Sequence, residues 1–423
     1  MRTILILLAT LASGVGLARA QDAPSETIAV IQVHGNNVTA DTDVIALAGV
    51  SVGEPFTGTT AADVRRRLLD SGRFEGADVH KRFASLADPS RIALVIIVDE
   101  HAVSVELPGV PGALVEPRLV RRRWPGSAMW LPILDAEDGY GLTYGALVAW
   151  SDVAGARSRI SVPLSWGGRR QAGVEFDKTF AQGALSRVRA GVGIDRRRNP
   201  FYDDHDTRRR VWGRAERRIV DGLWLGAGAG LDDVTFADQG ERVGSVGADI
   251  TVDTRLDPGL PRNAVFAKVS WTRLHGERTG AFNATTVDAR GYVGLVRQLV
   301  VIARVEHDTS DRPRPMFLKP LLGGWSNLRG FEAGAFAGDT RTVGSLELRV
   351  PASSPLSVAK AGISVFVDAG KAFDHGVRFD DAKLHVGAGA GVWLSAAVVQ
   401  AGVSVAHGRG SGTRVNVDID LTF

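Results

Sequence analysis

The chain of 423 residues contains no cysteine, so its stability cannot rest on disulfides. Long apolar runs are missing too. Beyond the first 20 residues none approaches the ~18 needed for a spanning helix, which leaves a barrel or surface binding as the routes into a membrane. Charge of one sign does not dominate: the formal net charge of +3 is too small to argue for a nucleic-acid partner. Catalytic signatures are absent as well, with no G-x-S-x-G elbow, H-E-x-x-H, P-loop or G-x-G-x-x-G. The G-x-G-x-G strings at Gly226 and Gly387 fall inside strand-like runs and read as small inward residues. Asp203 to Asp206 ("DDHD") and Glu306-His307-Asp308 read as ordinary exposed loops, because consecutive polar residues cannot all converge on one ion. The expectation is a non-enzyme without metal or cofactor.

What is present begins with a leader. Met1-Arg2, the apolar "TILILLATLASGVGL" and the small residues Ala18 and Ala20 read as a signal peptide over residues 1–20, with the mature chain starting near Gln21. Glycine is plentiful, at 50 residues, while charged residues make up 23%. That mixture suits neither disorder nor a helical membrane protein.

Residues 24–100 read as a small α+β unit of order β-α-α-β-β. "ETIAVIQVHG" is strand-like; "TADTDVIALAG" is a helix with Thr39 as N-cap and Gly49 as stop; "TTAADVRRRLLDSG" is a second helix ending at Gly72. "RFEGADVHKRF" and "RIALVIIVDE" supply two further strands. Residues 101–137 follow as a proline-spaced linker whose Arg121, Arg122 and Arg123 are expected on a solvated face, contact with lipid phosphates or an acidic partner surface being the weaker alternative.

From Asp138 to Phe423 runs of about ten residues alternate in polarity, separated by Gly, Asp and Arg-rich turns. Tyr140, Leu142, Tyr144, Ala146, Val148 and Trp150 share one face, as do Ile160, Val162, Leu164 and Trp166. In the last run Val415, Val417, Ile419, Leu421 and Phe423 alternate with Asn416, Asp418, Asp420 and Thr422. Apolar outside with polar or tiny residues inside fits a membrane barrel with a wet lumen, since only closure satisfies every strand edge in lipid. The arginine-rich stretch from Arg196 to Asp221 defies a face assignment, and the tally of strands stays one short of the even number that such a barrel needs.

Two sets of motifs resemble a known family. The string "IQVHGNNVTADTDVIALAGVSVGEPF", the step "LLDSGRFEGADV" and the closing "ALVIIVDE" resemble a POTRA domain, the periplasmic module of the outer-membrane insertase superfamily. "LRGF" (Leu328, Arg329, Gly330, Phe331) resembles that superfamily's signature on an extracellular loop folded back into the barrel. "VFVDAG" (Val365 to Gly370) resembles the F-x-D-x-G signature of a following strand, "GSLELRVP" the strand between them, and "DTRLDPGLPRNA" a periplasmic turn. Parity agrees: with Val365, Val367, Leu346 and Leu348 turned to lipid, Phe366, Asp368, Gly370 and Glu347 point inward. A guanidinium on the loop then meets carboxylates, and Arg329 to Asp368 is expected to lock it, with Gly330 allowing close approach and Phe331 an apolar anchor.

The resemblance implies an all-β transmembrane barrel of about 16 antiparallel strands after a single POTRA domain. It implies insertion or translocation of unfolded outer-membrane or secreted polypeptides without nucleotide hydrolysis, with the bilayer and periplasmic assembly factors as further partners and no nucleic acid. The edge strand Glu75, Asp78, Val79, His80, Lys81 and Arg82 would add a strand of substrate by β-augmentation. A lateral seam would lie between the first strand, near Tyr140, Leu142 and Tyr144, and the last, with Ile419, Leu421 and Phe423. The alternatives are a secretion channel for one dedicated partner and a passive structural pore.

Overall fold

The computed structural model describes residues 26–421 except 35, 37–38, 85–87, 89, 101–102, 107–117, 122–127, 138, 256–260, 296–298, 353–358 and 397–398. The leader, Arg122, Arg123 and Phe423 therefore lie outside the described residues. The chain divides into two compact units at Asp99/Glu100.

The first unit has the order β1 (Thr27–His34), α1 (Asp41–Ala48), α2 (Thr60–Asp70), β2 (Phe74–Phe83) and β3 (Arg91–Glu100). Helix α1 begins after Ala40 with no side-chain cap, so Thr39 does not play the N-cap role expected of it, while Gly49 does end the helix in the left-handed conformation. Alternation in β3 turns Ile92, Leu94, Ile96 and Val98 onto one face, where they bury against Val44 and Ala48 of α1 and Val64 and Leu68 of α2. Full burial of each large aliphatic side chain stabilises by about 1.5 to 3 kcal/mol, so this cluster alone holds the helices on the sheet. The sheet order is β1-β3-β2, with β1 parallel to β3.

The second unit begins with a short antiparallel ladder, β4 (Val103–Glu106) with β5 (Arg118–Arg121), which takes in Arg121. A closed barrel of 16 antiparallel strands follows. In chain order these are β6 (Ala128–Glu137), β7 (Gly141–Ser151), β8 (Ser158–Gly167), β9 (Arg169–Thr179), β10 (Arg187–Asn199) and β11 (Asp204–Val220). They continue as β12 (Leu223–Phe236), β13 (Gln239–Asp253), β14 (Ala264–Gly276), β15 (Gly280–Gly294) and β16 (Val300–Ser310). After two inner-loop pieces, β17 (Leu321–Leu322) and β18 (Phe336–Ala337), come β19 (Thr340–Ala352), β20 (Ala359–Phe373), β21 (His385–Ala396), β22 (Val399–Gly408) and β23 (Gly412–Leu421).

The period-two pattern sorts the wall. On β20 Val365 and Val367 are about half exposed on the outside, whereas Phe366 and Asp368 are 4% and 1% exposed on the inside. The barrel starts ten residues before the boundary expected at Asp138: Ala128–Glu137, read from sequence as linker, is the strand missing from the tally. The arginine-rich stretch resolves into the end of β10, a turn, and the long strand β11, so "DDHD" lies in that turn and the start of β11 rather than in an open loop. Glu306-His307-Asp308 is likewise strand, inside β16.

Candidate functional site: a loop docked inside the barrel

Between β16 and β19 the chain leaves the rim and folds back into the barrel, where β17 pairs with β18 and Gly324 bridges Leu328 to form a tight inner turn. Its apolar centre is Leu322, Leu328, Phe331 and Val343, with Phe336 packed on top. Phe331 meets the edges of Phe336 and His385, each at 5.6 Å between ring centroids.

Arg329 stands at the middle. Its Nε and Nη2 donate to the two oxygens of Asp368, both at 2.8 Å, in the parallel fork expected of guanidinium and carboxylate. Nη1 donates to Glu347 at 2.8 Å, and Nη2 reaches the Ser345 hydroxyl at 3.3 Å. The guanidinium carbon lies 3.3 Å from the centroid of the Phe366 ring, a stacked cation–π contact. The Arg329 backbone N–H also donates to Asp368, and Ser345 donates to the same carboxylate at 2.6 Å. Glu347 is itself held by Arg349 at 2.7 Å.

Two glycines make this approach possible. Gly330 has φ of 94°, and a Cβ there would stand 2.7 Å from the Gly408 nitrogen on β22. A Cβ at Gly387 would overlap the Arg329 carbonyl oxygen. Gly370 faces the Leu322 side chain.

The structure thus brings Leu328, Arg329, Gly330, Phe331, Glu347, Phe366, Asp368 and Gly370 into one cluster. It also shows holding contacts that sequence reasoning missed. Arg304 donates to the Ser326 carbonyl at 2.6 Å, Arg341 to the Leu321 carbonyl at 2.9 Å, and Arg208 to the Phe317 carbonyl at 2.8 Å. Glu306, read as loop, accepts from Arg304 and Arg341, and Asp308 accepts from Arg314. At the loop's base Asp339, 2% exposed, accepts the backbone N–H groups of Arg314 and His375. Lys319 donates to Asp374 at 2.6 Å. Burial opposes the Lys319 charge, but the Asp374 hydrogen bond and the nearby Asp339 outweigh it and hold its pKa above the ordinary lysine value.

The seam differs from expectation. β6 closes the barrel against β23 through Asp418↔Glu137 and Ile419↔Ala136. Leu142 and Tyr144 lie on β7, one strand further on, and Tyr140 lies in the turn before it, so none of them borders the seam. Ile419 does border it; Leu421 ends β23, and Phe423 is outside the described residues. The displacement follows from the strand hidden in the linker. In the first unit, Glu75, Asp78, Val79, His80, Lys81 and Arg82 all fall on β2, an edge of the described sheet, and Lys81 is tied to Glu26 at 2.8 Å.

Fold and site together define a transmembrane β-barrel with a loop docked in its lumen. Residues 237–406 match the Omp85 superfamily domain. The fold is similar to the crystal structure of BamA from Haemophilus ducreyi lacking POTRA domains 1–3, with a TM-score of 0.60 at 14% identity over 94% of this chain and 85% of that one. It is similar also to CdiB from Escherichia coli, with a TM-score of 0.53 at 13% identity over 96% of this chain and 92% of that one. At such identities the likeness is one of fold. No curated protein matches the chain. The barrel therefore shares its fold with those two proteins, and residues 237–406 within it are similar to the Omp85 superfamily domain.

Proposed function

We propose that this protein inserts or translocates other polypeptides at the outer membrane without nucleotide hydrolysis. The first unit acts as a periplasmic POTRA domain, taking up an extended substrate segment along the β2 edge from Glu75 to Arg82, and the barrel passes the segment on through its seam.

The observation that carries this reading is the disparity of the ladders. Among the described residues two residue pairs join β6 to β23, whereas ten join β6 to β7 and ten join β22 to β23. Each backbone hydrogen bond contributes about 0.5 to 1.5 kcal/mol net, so the seam is the line along which the wall opens at least cost. The docked loop rests on the strands beside it: Gly330 lies against Gly408 of β22, Trp325 covers Gly402, and Glu332 pairs with Arg414 of β23 at 2.8 Å. On this reading the Arg329–Asp368 pair positions the loop as a brace behind the movable edge.

The test is a reversible lock. Ala136 and Ile419 are directly paired, and facing residues in an antiparallel ladder lie about 4.5 to 5.5 Å apart at Cα, within disulfide range. In a chain without native cysteine, A136C/I419C adds the only bond that can form. Oxidation should stop insertion of a urea-unfolded porin into proteoliposomes and reduction should restore it, while V148C/V162C, placed in the continuous β7/β8 ladder, should insert in both states. Full activity of the oxidised seam lock would refute lateral passage and leave passage through the lumen.

A further inference from the structure

Not every arginine of the barrel serves the lumen. On β9, β10 and β11 the outward face is set by Val174, by Val192 and Ile194, and by Val211, all exposed. Continuing that parity toward the rim that carries the docked loop places Arg170 on β9, Arg196 and Arg198 on β10, and Arg209 on β11 on the same outer wall, all exposed.

Arg170 and Arg196 face each other directly across the β9/β10 ladder. Like charges so placed destabilise a sheet. The acids on this part of the wall are engaged elsewhere: Asp203 takes Arg198 at 2.7 Å between Nε and Oδ1, and Asp233 lies 3.9 Å from Arg209. Neither Arg170 nor Arg196 has an acidic partner among the described residues. Two opposed guanidinium forks with no acidic side chain between them, at the upper end of a lipid-facing apolar band, present paired donors that suit an anionic group.

A second observation sets the depth. Tyr144 and Trp166, both exposed, are directly paired on the outer face of β7 and β8. Trp166 and Arg170 each lie one residue beyond the Ser165↔Gln171 pair, so Tyr144, Trp166, Arg170 and Arg196 form one row around the wall. Outward Tyr and Trp mark the headgroup level of membrane barrels. The arginine pair therefore sits where lipid phosphates lie, and Arg is the side chain whose planar fork matches a phosphate.

We infer that this wall is a binding site for a phosphate-bearing membrane lipid, its headgroup clamped between Arg170 and Arg196 and its chains lying on Val174, Val192 and Ile194. The site is independent of the polypeptide-handling reading. It requires only that the barrel sit in a membrane.

The test is native mass spectrometry of the full chain released from nanodiscs containing diphosphoryl lipid A or the same lipid without its phosphates. The wild type should retain the phosphorylated form, and R170Q/R196Q should retain about ten-fold less, the loss of roughly one charge-assisted contact. R170K/R196K should fall between, because lysine keeps the charge and loses the fork. Inorganic phosphate should not displace the lipid. Equal retention by wild type and R170Q/R196Q, or equal retention of the two lipids by the wild type, overturns the site. Displacement by inorganic phosphate reduces it to a small-anion site and overturns the lipid assignment. Heat-modifiability on gels reports folding, and R196Q alone, which removes the like-charge opposition, should still show a partial loss.

Discussion

Replacing Arg329 by alanine removes four side-chain hydrogen bonds, two to Asp368 and one each to Glu347 and Ser345, together with the stack over Phe366. Breaking a buried ion pair by deleting one partner typically costs about 3 to 5 kcal/mol. The lower end applies here, because Asp368 keeps the Ser345 hydroxyl and the backbone N–H of residue 329. A cost of about 3 kcal/mol raises the undocked population of the loop more than 100-fold. The wall strands do not depend on this pair, and Arg304, Arg341 and Arg208 still hold three loop carbonyls. The barrel should therefore stay heat-modifiable while hydrogen exchange accelerates across residues 323–336 and conductance in planar bilayers rises or becomes unsteady. Asp368→Ala should behave alike, and the double variant should be no worse than either single, since residues acting as one unit are non-additive. Glu347→Gln should be milder, as the amide oxygen can still accept from Arg329. Strictly additive losses, or exchange unchanged in both single variants, would show that the pair does not hold the loop.

Gly330→Ala should reproduce the loosened loop with every charge intact, because the new Cβ meets the Gly408 backbone and the residue's φ is positive; bilayer conductance reads it. Asp339→Ala leaves the Arg314 and His375 N–H groups without their acceptor, at about 1 to 3 kcal/mol for each donor left unsatisfied, and should lower the temperature at which the barrel unfolds on gels. Residues 24–100 expressed alone should unfold cooperatively by circular dichroism, since the buried cluster from Ile28 to Val98 is complete within them.

The barrel was legible wherever one face is apolar and the other is not. β20 and β23 show this: Val365 and Val367, or Val415 and Val417, alternate with Phe366 and Asp368, or Asn416 and Asp418. It was illegible where both faces carry charge. On β11, Arg208, Arg210 and Arg214 turn inward to Asp206, Asp232 and Asp249, while Arg209 turns outward, so no polarity period survives. The first strand was hidden by Pro132, which made "AMWLPILDAE" read as connector. A proline is tolerated at a sheet edge, and among the described residues β6 has ladder partners along its length on the β7 side and two pairs on the β23 side. The feature that concealed the strand is thus bound up with the weakness of the seam, and the error in placing Tyr140, Leu142 and Tyr144 at that seam follows from it.

The site shows a similar division. "LRGF" and "VFVDAG" name the side-chain pair because a guanidinium and a carboxylate each leave a letter in the sequence. The clamps by Arg304, Arg341 and Arg208 leave none on the receiving side, since their acceptors are the carbonyls of Ser326, Leu321 and Phe317, and a carbonyl belongs to every residue. Those contacts bear on how the loop can move. A loop tied only at Arg329 would swing free on loss of one side chain, whereas one tied at Arg329 and at three backbone points along residues 317–326 must yield in steps. Residues 327–336 hold Gly330, Phe331 and Glu332, which beside Trp325 make the contacts with β22 and supply the Arg414 partner on β23, and carry no such clamp among these three. Movement of the β23 edge therefore draws first on that half, with the Arg329–Asp368 pair as the point at which displacement of the edge reaches the rest of the loop.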